Sequence, residues 1–306
     1  MSKIPVFNTV GETYDYSFRN YLNLFAVTWL PLLVATVASY FIIENIMPQT
    51  IAMMKEQMAA AVPGAPPANP LAAMPMMGWM WALDFAMLFV FVMMAVGITK
   101  EVLGVREAPR FFYLRFGADE FRLLGGLLIV VLVVIVAIVG LAIVGGIVAG
   151  IAMAGAVRQN AGAMAGVMIL IMFVLYLIGF YFMARLTFFQ APVVVEEKKM
   201  GIGRSWQLSS GNFWRIFTVG LFIWIPLAIV EGILFAIIMG PALASAFANI
   251  QPGNPQGFVT ALLEVEMAKM PYLLALSFVL SPFLYGLIFT PSVFAYKAVT
   301  AGEKTI

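Results

Sequence analysis

The sequence predicts an all-α integral membrane protein with six transmembrane helices. Of its 306 residues, 63% are hydrophobic and only 10% are charged, whereas about 25% of the residues in an ordinary soluble domain are charged. The apolar residues are gathered into six stretches, and the basic residues are concentrated in alternate connections between them. Apolar surface in such excess faces lipid, so the lipid bilayer is the first expected partner.

The first two predicted spans are 24–47 and 79–98. Each contains the roughly 20 mostly apolar residues that a bilayer crossing requires. Segment 48–77 between them is rich in proline, methionine and alanine. Because clustered prolines break helices, we expect 48–77 to be an outer loop, irregular and extended at least over 62–75.

The third and fourth predicted spans are 123–153 and 163–189. The third would be roughly 46 Å long at about 1.5 Å per residue, so we expect it to tilt or to project beyond the bilayer. It also carries small residues at four-residue intervals, namely Ala142, Gly146, Gly150 and Ala154. Small residues let helix backbones approach closely, which predicts that this face packs within the chain or in a dimer.

The fifth and sixth predicted spans, 216–239 and 272–296, complete the bundle. Prolines inside them predict kinks. The connection between them begins with a turn signal over 251–255, and a short helix over 258–267 is expected to follow.

The distribution of lysine and arginine predicts the orientation. Three of the 17 basic residues, Lys55, Arg158 and Lys269, lie in the three predicted outer segments. The others lie in the N-terminal segment, the second-to-third and fourth-to-fifth connections and the C-terminal end. Basic residues are retained on the cytoplasmic side. We therefore expect a multi-pass protein of the bacterial inner membrane with both termini in the cytoplasm.

Each odd-numbered span follows an aromatic residue and an arginine. The three pairs are Phe18-Arg19, Phe121-Arg122 and Trp214-Arg215. Two interpretations are open. Membrane interfaces collect aromatic residues and arginines in general, or the chain is built from three hairpins, each led by an amphipathic helix on the cytoplasmic surface.

The connection after the fourth span contains a recognisable run of spaced residues. Its members are Pro192, Glu196, Gly203, Arg204, Ser205, Trp206, Leu208, Ser209, Gly211, Phe213, Trp214 and Arg215. This run resembles the signature of a bacterial family of six-span membrane domains, named after the membrane region fused to some glycerophosphodiester phosphodiesterases. Segment 116–124 is similar to stand-alone alphaproteobacterial relatives of that kind. The resemblance implies a six-span architecture without the soluble catalytic barrel, and it implies no activity.

Cysteine and histidine are both absent. The chain therefore has no thiol nucleophile, disulfide or thiolate metal site, and it lacks the commonest general base and metal ligand. Serine–histidine hydrolases, HExxH metalloproteases and histidine-dependent lipid phosphatases are therefore excluded. We predict that the chain is not an enzyme and holds no cofactor or metal. Its net charge of only +2 gives no indication of nucleic acid as a partner.

Six residues of the inner segments are candidates for binding anionic lipid headgroups or a partner. They are Arg122, Lys198, Lys199, Arg204, Trp206 and Arg215. Each basic residue near an anionic membrane surface contributes about 1 kcal/mol to binding. The alternative is that these residues only fix the topology.

Three carboxylates, Glu44, Asp84 and Glu231, lie within or at the ends of spans. A charged group near the bilayer centre costs at least about 2.5–3.5 kcal/mol, so it usually faces the bundle interior. These residues are therefore candidates for a proton or cation site. In the alternative interpretation Glu231 is protonated and bonded to a neighbouring helix, while Glu44 and Asp84 extend to the interface.

Two functional hypotheses follow. The leading one is a non-enzymatic inner-membrane protein that scaffolds or modulates a membrane or envelope process, through a protein partner or as a homo-oligomer. The alternative is a small-solute or lipid transporter that uses Glu231 and Asp84.

Overall fold

The computed structural model describes residues 2–60, 74–107, 111, 113, 115–155, 161–248 and 255–301. Within these ranges the chain forms nine helices and no strand. The helices are α1 (Val6–Arg19), α2 (Tyr21–Ala60), α3 (Met74–Leu103), α4 (Ala118–Gly155), α5 (Ala161–Thr187), α6 (Gln190–Glu197), α7 (Ile202–Ser209), α8 (Phe213–Ala248) and α9 (Pro255–Thr300).

Six helical stretches are long and apolar enough to cross a membrane, which confirms the predicted six-span fold. They are Tyr21–Ile42, Trp81–Leu103, Ala118–Gly140, Ile169–Glu197, Phe213–Ser245 and Met267–Thr300. Each overlaps one predicted span. Large apolar side chains such as Ile135, Val136 and Leu170 are exposed on these helices, as suits a surface that contacts lipid. The chain is a polytopic membrane protein.

The predicted loop 48–77 needs correction at both ends. Helix α2 continues through Pro48 to Ala60, and α3 already begins at Met74. A proline inside a helix costs about 3 kcal/mol, but the residues after Pro48 are mainly alanine, methionine, glutamine, glutamate and lysine, which are strong helix formers. Pro75 lies in the first turn of α3, where the missing N–H has no helical acceptor. Residues 61–73 of the predicted loop lie outside the described residues.

Helix α9 is longer than the predicted sixth span. It runs through three internal prolines from Pro255 to Thr300, so the short helix expected over 258–267 is its first part. The rest of the predicted turn, 251–254, lies outside the described residues. The chain thus ends in one long helix instead of a short helix followed by a span.

Two glycines of the small-residue face of α4, Gly146 and Gly150, do not pack against the described part of the chain. A Cβ added at Gly146 or Gly150 would meet no atom within 4 Å. Instead Gly145 faces α5, where an added Cβ would lie 3.2 Å from Ile171. Packing of the Gly146 face in a dimer stays a prediction.

Helix α9 occupies the centre of the bundle and packs against α1, α2, α3, α6 and α8, while the α4–α5 hairpin attaches at the side. The beginning of the chain meets the end of α9, because the Ser2 hydroxyl donates a hydrogen bond to the Val299 carbonyl at 2.8 Å. We call this end of the bundle the terminal end. Both hydrophobic core clusters contain residues of α6 and of the last turns of α9, so the core is anchored there.

Short helices lead two of the three hairpins. Helix α1 precedes α2 and α7 precedes α8, whereas the described residues between Leu103 and Ala118 form no helix. Helix α1 buries a polar stripe of Thr9, Thr13 and Ser17. The first and third hairpins therefore have the leading helix of the three-hairpin interpretation, and the described residues before the second hairpin form none.

Tyr14 of α1 compensates for a proline in α8. Pro226 has no N–H, so the carbonyl of Phe222 lacks its usual helical donor. The Tyr14 hydroxyl lies 3.2 Å from the Phe222 oxygen and 3.3 Å from the Ile223 oxygen, and it donates to them. Burial raises the pKa of this hydroxyl, which keeps it protonated. The contact joins α1 to the first half of α8, the first long helix of the third hairpin.

We expect Tyr14→Phe to lower the free energy of unfolding by about 1 kcal/mol, the net value of one hydrogen bond. In a Pro226→Ala background the new N–H at 226 bonds to the Phe222 carbonyl, so the loss from Tyr14→Phe should become smaller. Unfolding of the four variants in detergent micelles measures this coupling. Equal losses in both backgrounds would contradict the compensation.

Candidate functional site

The first turn of α4 places two carboxylates at the terminal end. Asp119 and Glu120 follow directly on the helix start at Ala118, where negative charge is favoured by the helix dipole. Glu120 is fully buried. Its Oε2 accepts a hydrogen bond from the Gly117 N–H at 2.8 Å, which satisfies a backbone donor at the helix start. These two residues form the centre of a polar cluster.

Lys100, near the end of α3, bridges both carboxylates. Its Nζ lies 3.0 Å from Asp119 Oδ2 and 3.4 Å from Glu120 Oε1. The hydroxyl of Tyr113 donates a short hydrogen bond to Glu120 Oε1. Burial and the neighbouring Glu120 carboxylate raise the pKa of the Tyr113 hydroxyl, so the phenol keeps the proton that it donates. Lys100 neutralises the Glu120 carboxylate, and both Lys100 and Tyr113 donate hydrogen bonds to it. This carboxylate is fully removed from solvent.

Two of the predicted headgroup-binding residues converge on Asp119. Arg122 Nη1 lies 3.0 Å from Asp119 Oδ1, and Lys198 Nζ lies 2.9 Å from Asp119 Oδ2. Lys198 ends α6 with a left-handed backbone, φ 57°. We call Lys100, Tyr113, Asp119, Glu120, Arg122 and Lys198 the α4 ion cluster. This cluster fastens the α6–α7 connection to α3 and α4.

A second polar cluster surrounds Arg185 at the end of α5. The guanidinium lies 3.5 Å from the centre of the Trp206 ring, a cation–π contact. It donates to the Tyr181 hydroxyl at 2.8 Å, the Trp206 carbonyl at 3.0 Å and the Ser209 hydroxyl at 3.3 Å. Within the described ranges no carboxylate forms an ion pair with Arg185. Trp206 therefore covers a buried cation of its own chain.

The serines of the motif close the break between α5 and α6. The hydroxyls of Ser205 and Ser209 both donate to the Arg185 carbonyl, at 2.9 Å and 3.2 Å. Ser205 Oγ also accepts from the Phe189 N–H at 3.2 Å. Helix ends leave backbone groups without helical partners, and these side chains supply them. The motif residues that resemble the family signature thus have a structural use here.

The remaining predicted residues lie apart from one another. Arg204 pairs with Glu197 at 3.0 Å, and the Tyr296 hydroxyl donates to the same carboxylate at 3.2 Å, which joins α6, α7 and α9. Arg215 donates to the Ile4 carbonyl at 2.7 Å. Lys199 is exposed. The structure therefore divides the six predicted residues among several local contacts and does not gather them into one headgroup site.

The three candidate carboxylates lie on exposed surfaces. Glu44, Asp84 and Glu231 are on α2, α3 and α8 respectively, and each is exposed. This agrees with the alternative interpretation in which Glu44 and Asp84 extend to the interface, and it differs from a position of Glu231 in the bundle interior. Glu231 is roughly 27 Å along α8 from Phe213 at 1.5 Å per residue, close to the ~30 Å thickness of the hydrocarbon core. Its exposed side chain is thus placed to reach the interface opposite the terminal end.

Glu44 and Asp84 lie at or near the ends of their candidate spans. Glu44 follows the end of the candidate span Tyr21–Ile42, and Asp84 is near the start of Trp81–Leu103. In the described part of the chain, no group of three or more acidic residues is arranged to hold a metal ion.

Asp119 and Glu120 are the residues that the sequence analysis missed. Acidic residues in the first turn of a helix are a signal for a helix start, and this signal is visible in the sequence. This signal does not indicate which cations from distant parts of the sequence pair with Asp119 and Glu120. Lys100 and Lys198 come from positions 20 and 79 residues away from their hydrogen-bonded carboxylates.

Comparison with known proteins gives no match: no family model, no curated protein and no solved structure is similar to this chain. The resemblance to the six-span membrane-domain family stays a prediction from the motif residues.

Proposed function

We propose that the protein is a non-enzymatic scaffold or modulator of a membrane or envelope process, and that segment 196–215 binds its partner. In this proposal the protein lies in a bacterial inner membrane with the terminal end in the cytoplasm. The basic residues of the connections at that end support this orientation. The motif residues from Pro192 to Arg215 support membership of the six-span family, and segment 116–124 supports the stand-alone kind; the membrane domains of that family have no settled activity.

The observation that carries this proposal is the rigid support of the α6–α7 connection. Lys198 forms an ion pair with Asp119, and Arg204 forms one with Glu197. The Ser205 hydroxyl donates a hydrogen bond to the Arg185 carbonyl. Between these fixed points Lys199 and Met200 are exposed, Met200 to 52%. A surface that is already ordered loses little conformational freedom on binding. It is therefore suited to a protein partner.

Photo-crosslinking from Met200 tests the proposal. We expect a benzophenone amino acid at Met200 to capture one protein in intact cells, and the same protein to copurify with the unmodified chain in mild detergent. Met172 on α5 is the matched control, since it is a methionine of similar exposure, 64%, inside a candidate span. There the probe should capture lipid and no protein.

Three results would count against the scaffold. A chain that migrates alone in mild detergent, with no specific adduct from Met200, would remove the proposed partner. The same protein captured at Met172 would show that contact does not depend on the α6–α7 connection. A proton-coupled solute flux that Glu231→Gln abolishes would favour the transporter instead.

A further inference from the structure

An apolar cleft of about 320 Å³ lies between α5, α8 and α9. Its walls include Ala184 and Thr187 of α5, Gly220 and Trp224 of α8, and Pro291 of α9. The cleft belongs neither to the α4 ion cluster nor to the exposed surface around Met200. It is also separate from the three carboxylates.

The cleft has the depth of one membrane leaflet. On α8 its lining extends from Ile216 to Trp224, and Trp224 is roughly 17 Å from the helix start at Phe213. One half of the hydrocarbon core is roughly 15 Å thick. On α5 the lining ends at Phe188, beside the break before α6. The cleft therefore begins at the interface of the terminal end and reaches the middle of the bilayer.

The chemistry of the walls selects a hydrocarbon occupant. The side chains that line the cleft are apolar except for the Thr187 hydroxyl and the indole N–H of Trp224. The Thr187 hydroxyl already donates to the Met183 carbonyl at 2.7 Å, so it has no further proton to donate. A ligand with several polar groups would lose most of its hydrogen bonds to water here without replacement. A lipid acyl chain forms no hydrogen bonds to water, so it loses none when it enters the cleft.

Two arginines that form no ion pair with a carboxylate in the described ranges are sequence neighbours of residues that line the cleft. Arg185 directly follows Ala184, and Arg215 directly precedes Ile216. In the described ranges neither arginine forms an ion pair with a carboxylate; their hydrogen bonds go to neutral hydroxyl and carbonyl groups. Several other arginines at this end do pair with carboxylates, namely Arg106, Arg115, Arg122 and Arg204.

We propose that the cleft holds one acyl chain of an anionic phospholipid from the leaflet at the terminal end. The headgroup phosphate lies at the interface near Arg215, which directly precedes the cleft lining on α8. Anionic headgroups are favoured there because each nearby basic residue contributes about 1 kcal/mol. The cleft lies outside 196–215, although Arg215 belongs both to that segment and to the headgroup end of this site.

Native mass spectrometry of the full chain from lipid discs, with equal amounts of phosphatidylglycerol and phosphatidylcholine, tests the site. We expect one phosphatidylglycerol to remain bound to the wild-type chain. Gly220→Leu fills the cleft, and it should lower this occupancy roughly tenfold, equivalent to about 1.4 kcal/mol of lost contact. Gly232→Leu, on the same helix outside the cleft, is the matched control. An added Cβ meets no atom within 4 Å at either glycine, so both variants are expected to fold.

Arg215→Gln separates the headgroup from the acyl chain. Glutamine keeps a donor for the Ile4 carbonyl but removes the charge, so we expect a lipid still to be retained with less preference for phosphatidylglycerol. Equal retention of both lipids by the wild type would overturn the anionic assignment. Equal occupancy in Gly220→Leu and Gly232→Leu, whether high or low, would overturn the cleft as the binding site.

A photoreactive acyl chain provides an independent measurement of position. Phosphatidylglycerol with a diazirine in its acyl chain should label peptides from 180–188 and 216–224 above all others in the wild type. Labelling spread evenly over the exposed faces of α4 and α5 would overturn the proposal, because it is the result expected from ordinary surrounding lipid.

Discussion

Glu120→Ala should lower the free energy of unfolding by about 3 kcal/mol, the loss typical of removing one partner from a buried ion pair. Glu120 is fully buried, and its carboxylate receives the Tyr113 hydroxyl, the Lys100 ammonium and the Gly117 N–H. The variant leaves those donors in place without their acceptor. It should therefore loosen the join between α3 and α4 and lower the unfolding temperature in detergent.

Glu107 provides the matched control for this prediction. It pairs with Arg115 in the same connection, but the two side chains are 74% and 61% exposed. Exposed pairs contribute little because water screens them, so Glu107→Ala should leave the stability nearly unchanged. Circular dichroism and thermal unfolding of the two variants in one detergent give the comparison. Similar losses in both would show that burial of Glu120 is not what stabilises the cluster.

The bilayer determines most of what the sequence can predict. Six apolar stretches and an asymmetric distribution of basic residues are local patterns, and both depend only on a hydrocarbon layer of known thickness. The six-span fold followed from these patterns and is confirmed. The predicted loop 48–77 was wrong at both ends. Proline breaks helices, but the high helix propensity of the residues around it outweighed this effect. Residues 49–60 are strong helix formers, and they continue α2 beyond Pro48.

The site was harder to predict because its contacts are distant in sequence. Arg122 and Lys198 were recognised as basic residues at an interface, but their shared partner Asp119 was not. Trp206 was a candidate for binding lipid headgroups or a partner, and the structure shows that it stacks on Arg185 of its own chain. An arginine beside an aromatic residue suits either arrangement. Only the packing of α5 against α7 decides between them.

A close contact between α6 and the start of α7 leads to the second large expected effect. A Cβ added at Gly201 would lie 2.8 Å from the Gln190 Cα and 2.9 Å from the Gln190 carbonyl oxygen. The backbone of Gly201 has φ −73°, which any residue adopts. Its requirement for glycine is therefore purely steric. We expect Gly201→Ala to destabilise the protein by about 2–3 kcal/mol, since backbone atoms cannot move aside without shifting α6.

Gly203, two residues later in α7, should respond in the opposite direction. An added Cβ there meets no atom within 4 Å, and alanine is favoured over glycine in helices, so Gly203→Ala should be neutral or stabilise by up to about 1 kcal/mol. Gly203 belongs to the family-like motif and Gly201 does not, so the motif alone would rank them the other way. Unfolding of both variants distinguishes the two explanations. Losses at both positions would favour a general need for flexibility in this connection, and a loss at Gly201 alone would support its contact with Gln190.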